Sequence, residues 1–245
     1  MGILEQSAVP VNAAIVPGGE LLRREWLAER IGDMGISWGT ADSRVAGTLW
    51  WCMAASSLVT PIVAAYADGR PAMNPALARI ACEIRPDGGV ERVLSIPTVS
   101  EDGQLDFESD SGPHAPDAPV RAGDAGPSCC ATSVGPALRH TLAEVIPLVA
   151  EVSGAGQASL WAIVADAIGN RALDIGAHEA GARLAREVAG RLPVPRFTDI
   201  GSRTFVRRIS CCLVFEVPGC EMCTSCPKRP AAQREALLSE LAARG

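Results

Sequence analysis

The spacing of apolar and polar residues predicts a chain built mostly from helices. Apolar positions recur every three or four residues over 136–152, 157–168 and 177–191, as they do on the buried face of a helix. A shorter amphipathic helix is predicted over Glu20–Arg30. Pro230 is expected to open a last helix, because proline suits the first turn, where its missing N–H costs no hydrogen bond. The core is therefore predicted to be helical.

Two segments depart from this spacing and predict β-structure. A β-hairpin over 77–97 is predicted by the alternating residues of ALARIACEI and VERVLSI, which flank the turn residues Asp87-Gly88-Gly89. Cys82 falls on the buried face of this hairpin, where a thiol packs as a small apolar side chain. From Arg203 the chain reads RTFVRRISCCLVFEV, which is rich in β-formers. The predicted fold class is α+β and predominantly helical, with a helical core, a β-hairpin and a small C-terminal β-rich segment.

One uncharged stretch is long enough to cross a bilayer. It lies between Arg44 and Asp68 and reads VAGTLWWCMAASSLVTPIVAAYA. Its threonines and serines, its many small residues and the lack of a basic cluster at either end favour a buried core helix over a membrane-spanning helix, which is the alternative. Trp50 and Trp51 are then interpreted as anchors of the core.

The net charge of the chain is concentrated in one segment. The sequence carries 28 acidic and 22 basic residues, which gives a formal net charge of −6. Seven acidic residues and a single arginine fall within 100–128, so the rest of the chain is neutral overall. No polybasic surface for nucleic acid or anionic lipid is expected. The segment is rich in Gly, Pro, Asp and Ser, and we predict a solvated insert that the fold does not need.

The N-terminal sequence bears on the cellular compartment. The first twenty residues contain no basic n-region, and Glu5 and Pro10 interrupt the apolar run that a signal peptide needs. The chain is therefore predicted to be cytoplasmic, without stable membrane insertion. Thiols stay reduced in that compartment, so clustered cysteines favour a metal site over structural disulfides.

Five of the nine cysteines lie within sixteen residues near the C-terminus. They are Cys211, Cys212, Cys220, Cys223 and Cys226. A structural zinc site normally uses two C-x₂₋₄-C pairs. Cys223 and Cys226 form such a pair, whereas the adjacent Cys211 and Cys212 do not. A ferredoxin-like [4Fe-4S] run beginning at Cys220 needs a fourth cysteine where Pro230 stands. A [2Fe-2S] cluster, with two thiolates on each iron, tolerates the unusual spacing best.

The pattern CC-x₁₀-C-x₂-C resembles the C-terminal signature of the FhuF-type ferric siderophore reductases. In that family the four cysteines hold a [2Fe-2S] cluster, and they match Cys211, Cys212, Cys223 and Cys226, whereas Cys220 has no place in the pattern. The stretch DSRVAGTLWWCMAASSLVTPIVAAYADGR, the hairpin after it and ASLWAIVADAIG are also similar to regions of the family. The resemblance thus spans most of the chain, apart from the acidic insert.

The resemblance implies a function and a division of the chain. Residues 1–195 are expected to form a helical siderophore-reductase-like domain that contains the hairpin 77–97 and the insert 100–128, and residues 196–245 a C-terminal [2Fe-2S]-binding segment. The cluster is expected to pass one electron to siderophore-bound Fe(III), which releases Fe(II) in the cytoplasm, with no catalytic residue beyond the cluster. The sequence has no G-x-G-x-x-G motif and no P-loop, so we expect an external donor, a ferredoxin or a flavin reductase, and a monomeric protein.

Basic residues around the cysteines are candidates for contacts with the substrate or the electron donor. They are Arg203, Arg207, Arg208, Lys228 and Arg229. An ordinary solvated position is the alternative for each of them. A different class of function also stays open, a non-enzymatic iron–sulfur or zinc-binding module that acts as a redox sensor or electron-transfer partner. In such a sensor, Cys129-Cys130 would be a second switch.

Overall fold

The structure is a computed structural model that describes residues 13–97 and 134–244. The acidic insert at 100–128 and Cys129-Cys130 lie outside the described residues, so the predictions made for them stay predictions. Over the described ranges the fold is α+β and predominantly helical, which confirms the predicted class.

Helices make up most of the described chain. They are α1 (Arg24–Trp38), α2 (Ser43–Ala67), α3 (Val134–Ser153), α4 (Gln157–Asp174), α5 (His178–Val188) and α6 (Ala231–Ala243). The first predicted helix was placed too early along the chain. Glu20 lies in a 3₁₀ turn (Gly18–Leu22), and α1 continues well past Arg30 because Ile31 and Met34 extend its buried stripe.

Two small antiparallel sheets complete the fold. They are formed by β1 (Ala14–Pro17), β2 (Ile80–Ile84) and β3 (Val90–Ser95), in that order, and by β4 (Phe197–Ile200) with β5 (Arg203–Val206). The β2–β3 hairpin is confirmed, and Cys82 is fully buried opposite Val93. The sequence did not predict β1, because four residues are too short to show an alternating pattern.

Helix α2 lies at the centre of the fold, where it contacts α1, α3, α4, α5 and β3. Trp50 and Trp51 are buried, and their indole N–H groups donate to the backbone oxygens of Gly88 and Leu160, each at 2.9 Å. By length and composition alone α2 could cross a bilayer, a criterion that the core helix of a soluble protein also meets. In this fold 61% of its most apolar window is buried. The two tryptophans therefore anchor the core as predicted.

Helix α4 joins this core to the C-terminal part of the chain. It contacts α2, α5 and β5, and Gly169 allows β5 to come close, because a Cβ there would lie 3.3 Å from a methyl group of Val206. The cysteine-containing segment packs on the same side of the core, with Val217 buried and Ile209 and Leu213 partly buried against it. The cysteines are therefore supported by the two central helices. The division of the chain at 195/196 stays a prediction.

Candidate metal centre

The two adjacent cysteines lie in irregular backbone after β5, and not in a strand as the β-rich sequence suggested. Leu213 adopts a left-handed conformation, with φ 62° and ψ 10°, which costs a residue with a Cβ about 1–2 kcal/mol. In this turn, two consecutive backbone N–H groups donate hydrogen bonds to the sulfurs of the two adjacent cysteines. Leu213 donates to Cys211 Sγ at 3.5 Å, and Val214 donates to the Cys212 sulfur. The bend removes the constraint that neighbouring strand residues point to opposite faces.

The four cysteines of the predicted motif meet as two sulfur pairs. Cys211 Sγ lies 3.7 Å from Cys226 Sγ, and the thiols of Cys212 and Cys223 share a hydrogen bond. Each pair joins one of the adjacent cysteines to one cysteine of the C-x₂-C turn. Within residues 13–97 and 134–244, no three or more His, Cys, Asp or Glu side chains surround a common point. The sulfurs are thus arranged two by two.

The distance within the first pair is that expected for two sulfurs bound to the same metal ion. Tetrahedral coordination with metal–sulfur bonds of about 2.3 Å separates two ligand sulfurs by ~3.8 Å. The 3.7 Å between Cys211 Sγ and Cys226 Sγ matches that separation. A structural zinc ion needs all four sulfurs around a single point. A [2Fe-2S] cluster needs two thiolates for each of its two irons.

The thiols of the Cys212–Cys223 pair differ in acidity. The pKa of Cys212 is lowered to about 5, chiefly by the hydrogen bond from Cys223 and also by the Val214 N–H and the Arg208 charge, which together outweigh burial. The same hydrogen bond raises the pKa of Cys223. Burial raises the pKa of Cys211.

A single buried carboxylate anchors the backbone that leads into the adjacent cysteines. Asp166 on α4 is 4% exposed and accepts the N–H groups of Ile209 at 3.1 Å and Ser210 at 2.9 Å. The Ser210 hydroxyl donates to the same carboxylate at 2.5 Å. Asp166 was not predicted from the sequence as a residue of this site. Its only signal was one acid inside the apolar run ASLWAIVADAIG, where a buried charge needs partners.

The guanidinium of Arg208 lies between this carboxylate and the sulfurs. Its Nη1 donates to Cys223 Sγ at 3.5 Å, and its Nε lies 3.7 Å from a carboxylate oxygen of Asp166. Burial by itself lowers the pKa of Arg208, but the negative charges of Cys212, Cys223 and Asp166 outweigh burial and leave it raised. The structure therefore holds a permanent, largely desolvated positive charge against one sulfur pair.

The other basic candidates differ in whether their side chains already form hydrogen bonds within the fold. Arg229 donates to the carbonyl of Cys223 at 3.0 Å, and Arg203 donates to a carbonyl of α6 at 3.2 Å. Both arginines thus hold backbone segments together. Arg207 and Lys228 are exposed. These two side chains are the ones that solvent or a partner reaches most easily.

The remaining described cysteines stand apart from the two pairs. Cys220 is half-buried, packs against the hydrophobic core, and forms none of the sulfur–sulfur contacts found among the described residues. Burial raises the pKa of Cys52 to about 12, with a further contribution from Cys212, and it raises the pKa of Cys82 to about 11. The latter two are therefore protonated thiols at neutral pH.

Comparison with known proteins assigns the cysteine segment. The family model described as FhuF 2Fe-2S C-terminal domain matches residues 208–228, a range that holds both sulfur pairs and Arg208. Searches of curated proteins and of solved structures gave no match. The match confirms the resemblance that the cysteine spacing indicated. Residues 208–228 thus match the FhuF 2Fe-2S C-terminal domain, and this match indicates a [2Fe-2S] cluster as the cofactor.

Proposed function

We propose that the protein is a cytoplasmic ferric siderophore reductase. The observation that carries the proposal is the match of residues 208–228 to the FhuF 2Fe-2S C-terminal domain, over the stretch where the four cysteines form two pairs. That family implies a redox role. We further propose that the substrate is a ferric chelate, that the protein is located in the cytoplasm and that its electron donor is an external protein.

The reaction is a one-electron reduction of bound iron. Siderophores hold Fe³⁺ through hard oxygen donors, and the same donors hold Fe²⁺ far more weakly, so one electron releases the metal and leaves the chelator intact. A [2Fe-2S] cluster takes up and passes on one electron at a time. The electron comes from an external donor, a ferredoxin or a flavin reductase, which is oxidised by one electron for each iron released.

The residues of the chain hold and tune this centre. Cys211, Cys212, Cys223 and Cys226 are the proposed ligands, each iron bound by one sulfur pair. Asp166 fixes the backbone before the adjacent cysteines. The charge of Arg208 compensates the thiolates, and Cys226 is buried.

The ligand assignment predicts different effects for neighbouring cysteines. Serine at any of the four paired positions is expected to remove most of the iron and acid-labile sulfide, because serine leaves an iron without its thiolate. Cys220→Ser is the matched control, and it should keep the full visible spectrum because its thiol packs on the core. The measurement is iron, sulfide and absorbance per chain after anaerobic purification. Cluster loss in Cys220→Ser combined with retention in Cys223→Ser would show that the ligand set is wrong.

The reaction predicts stoichiometric electron transfer. Protein that has been reduced chemically and then desalted should lose one electron per cluster to a ferric chelate, with one Fe²⁺ captured by a ferrous-specific chelator. Rapid mixing follows cluster reoxidation and Fe²⁺ capture together, and desalting removes free reductant that would reduce the chelate by itself. A cluster that stays reduced with hydroxamate, catecholate and carboxylate chelates alike would contradict the proposal and favour the redox-sensor alternative.

A further inference from the structure

An open cleft of about 450 Å³ lies beside the paired cysteines. Its walls come from the first turns of α2 and α4 and from both ends of the cysteine segment. Leu213 and Pro227 give it apolar surface, and the hydroxyl of Ser159 contributes a polar group. The volume falls within the range of small-molecule sites, about 300–1,000 Å³. The cleft can therefore receive a compact ligand.

Among the four paired cysteines, Cys211 lines this cleft. Its partner Cys226 is only 1% exposed. Arg208, which contacts the other pair, lines a separate cavity of about 100 Å³. Electron transfer slows steeply with distance, so a molecule in the larger cleft is placed to accept an electron through Cys211.

The charges at the cleft favour an anionic ligand. Arg44 lies on its wall, but its guanidinium is bound by the carboxylates of Asp42 and Glu216. Lys228 lines the cleft, is exposed, and forms no ion pair with any carboxylate of residues 13–97 or 134–244. Among the described residues that line the cleft, Lys228 is therefore the cation without a carboxylate partner, and its charge attracts negative ligands most strongly at low salt.

We propose that this cleft is the docking site of the ferric chelate and that Lys228 makes it prefer chelates with net negative charge. The proposal rests on the proposed function. A chelate docked in this cleft would lie beside Cys211, one of the residues that would hold the cluster, and the cluster would supply the single electron that reduces Fe³⁺. The Fe²⁺ product, held weakly by the same oxygen donors, then dissociates.

Docking can be measured apart from reduction with gallium(III) complexes, because Ga³⁺ has the charge of Fe³⁺ and is not reduced. The probes are an anionic gallium tris-catecholate and a neutral gallium trihydroxamate, titrated against the oxidised protein. Ser159→Trp fills the cleft, and Ala158→Trp is its control, since Ala158 is exposed on the same turn but does not line the cleft. Gly156→Trp is a second filling variant without added charge, since a Cβ there meets only the Ser159 hydroxyl, at 3.9 Å.

Filling the cleft is expected to weaken binding of both gallium complexes by about tenfold or more, while Ala158→Trp changes neither. The rate of cluster reoxidation by ferric chelates should fall with Ser159→Trp, and reoxidation by ferricyanide, which is small enough to react elsewhere, should not. Wild-type affinity in both Ser159→Trp and Gly156→Trp would overturn the assignment of the cleft.

Reversing the charge of Lys228 tests the selectivity. Lys228→Glu is expected to weaken binding of the tris-catecholate by about tenfold at low salt and of the neutral complex by less than about twofold. Arg79→Glu, an exposed position outside the cleft, gives the same change in net charge as a control. An equal effect of Lys228→Glu on both complexes would contradict the preference for anions.

Different results would contradict the proposed function and the assignment of the cleft. If the wild-type protein binds neither gallium complex and no ferric chelate reoxidises its cluster, the proposed function itself is wrong. If the wild-type protein reduces ferric chelates and the filling variants do so at the same rate, the function stands and the cleft is wrong.

Discussion

Replacement of Asp166 by alanine is expected to abolish stable incorporation of the cluster. The substitution leaves the N–H groups of Ile209 and Ser210 without their acceptor and Arg208 without its buried counter-charge. Removing one member of a buried charge pair costs about 3–5 kcal/mol. For a chain of this size, the thermal midpoint should then fall by on the order of 10 °C. Iron, sulfide and visible absorbance per chain measure the first effect, and thermal denaturation measures the second.

Two variants separate this anchoring role from a general effect on α4. Asp174→Ala removes an exposed acid at the end of the same helix, where it pairs with Arg171, and should leave the cluster intact. Asp166→Asn keeps one acceptor oxygen but no charge, and should retain part of the cluster. If Asp166→Ala binds iron and sulfide as fully as Asp174→Ala, the carboxylate does not anchor the cysteine loop.

Replacement of Arg208 by glutamine is expected to lower the reduction potential of the cluster. The thiolates outweigh the positive charge of the iron–sulfide core, so the centre is anionic and becomes more so on reduction. A positive charge that donates to Cys223 Sγ therefore stabilises the reduced form more than the oxidised form. We expect a shift of roughly 60–120 mV, which is one to two powers of ten in the ratio of oxidised to reduced protein. A spectroscopic redox titration measures the shift.

The neighbouring arginine provides a matched control for this shift. Arg207→Gln removes the same charge one residue earlier, from an exposed side chain. The reduction potential of the cluster in this variant should stay close to that of the wild type because solvent screens the charge. Arg208→Lys keeps the charge and should recover most of the potential. Equal potentials for Arg207→Gln and Arg208→Gln would mean that the contact with Cys223 has no electrostatic role.

The helical core could be predicted because its helices are long and periodic. The segments predicted at 136–152 and 177–191 correspond to Val134–Ser153 and His178–Val188, within three residues at each end. The hairpin followed from its Gly-rich turn and from strict alternation. The four-residue strand β1 (Ala14–Pro17) and the late start of α1 depend on pairing and packing with distant residues, which local spacing does not report.

The metal centre, too, could be predicted from the sequence only in part. The spacing of the cysteines predicted the cluster segment, since that spacing is specific to one family, and the family match confirms it. The contribution of Asp166 could not be predicted, because the residue lies 43 positions before Ile209 and meets it only in the folded chain. Nor does the sequence show the left-handed turn at Leu213, since the β-rich residues around it favour a strand.

The pairing of the sulfurs has a consequence for the choice of metal. Cys211 with Cys226 and Cys212 with Cys223 define two chain loops, one nested inside the other. Closing a loop of about fifteen residues costs ~3 kcal/mol of chain entropy, and once one loop is closed the other needs little more. A metal ion bound to one pair alone requires this loop closure, gains only two metal–sulfur bonds and leaves two sulfurs unbound. A binuclear group that binds both pairs closes both loops for nearly the same entropy and gains four metal–sulfur bonds, so the nested loops favour a centre that uses all four sulfurs.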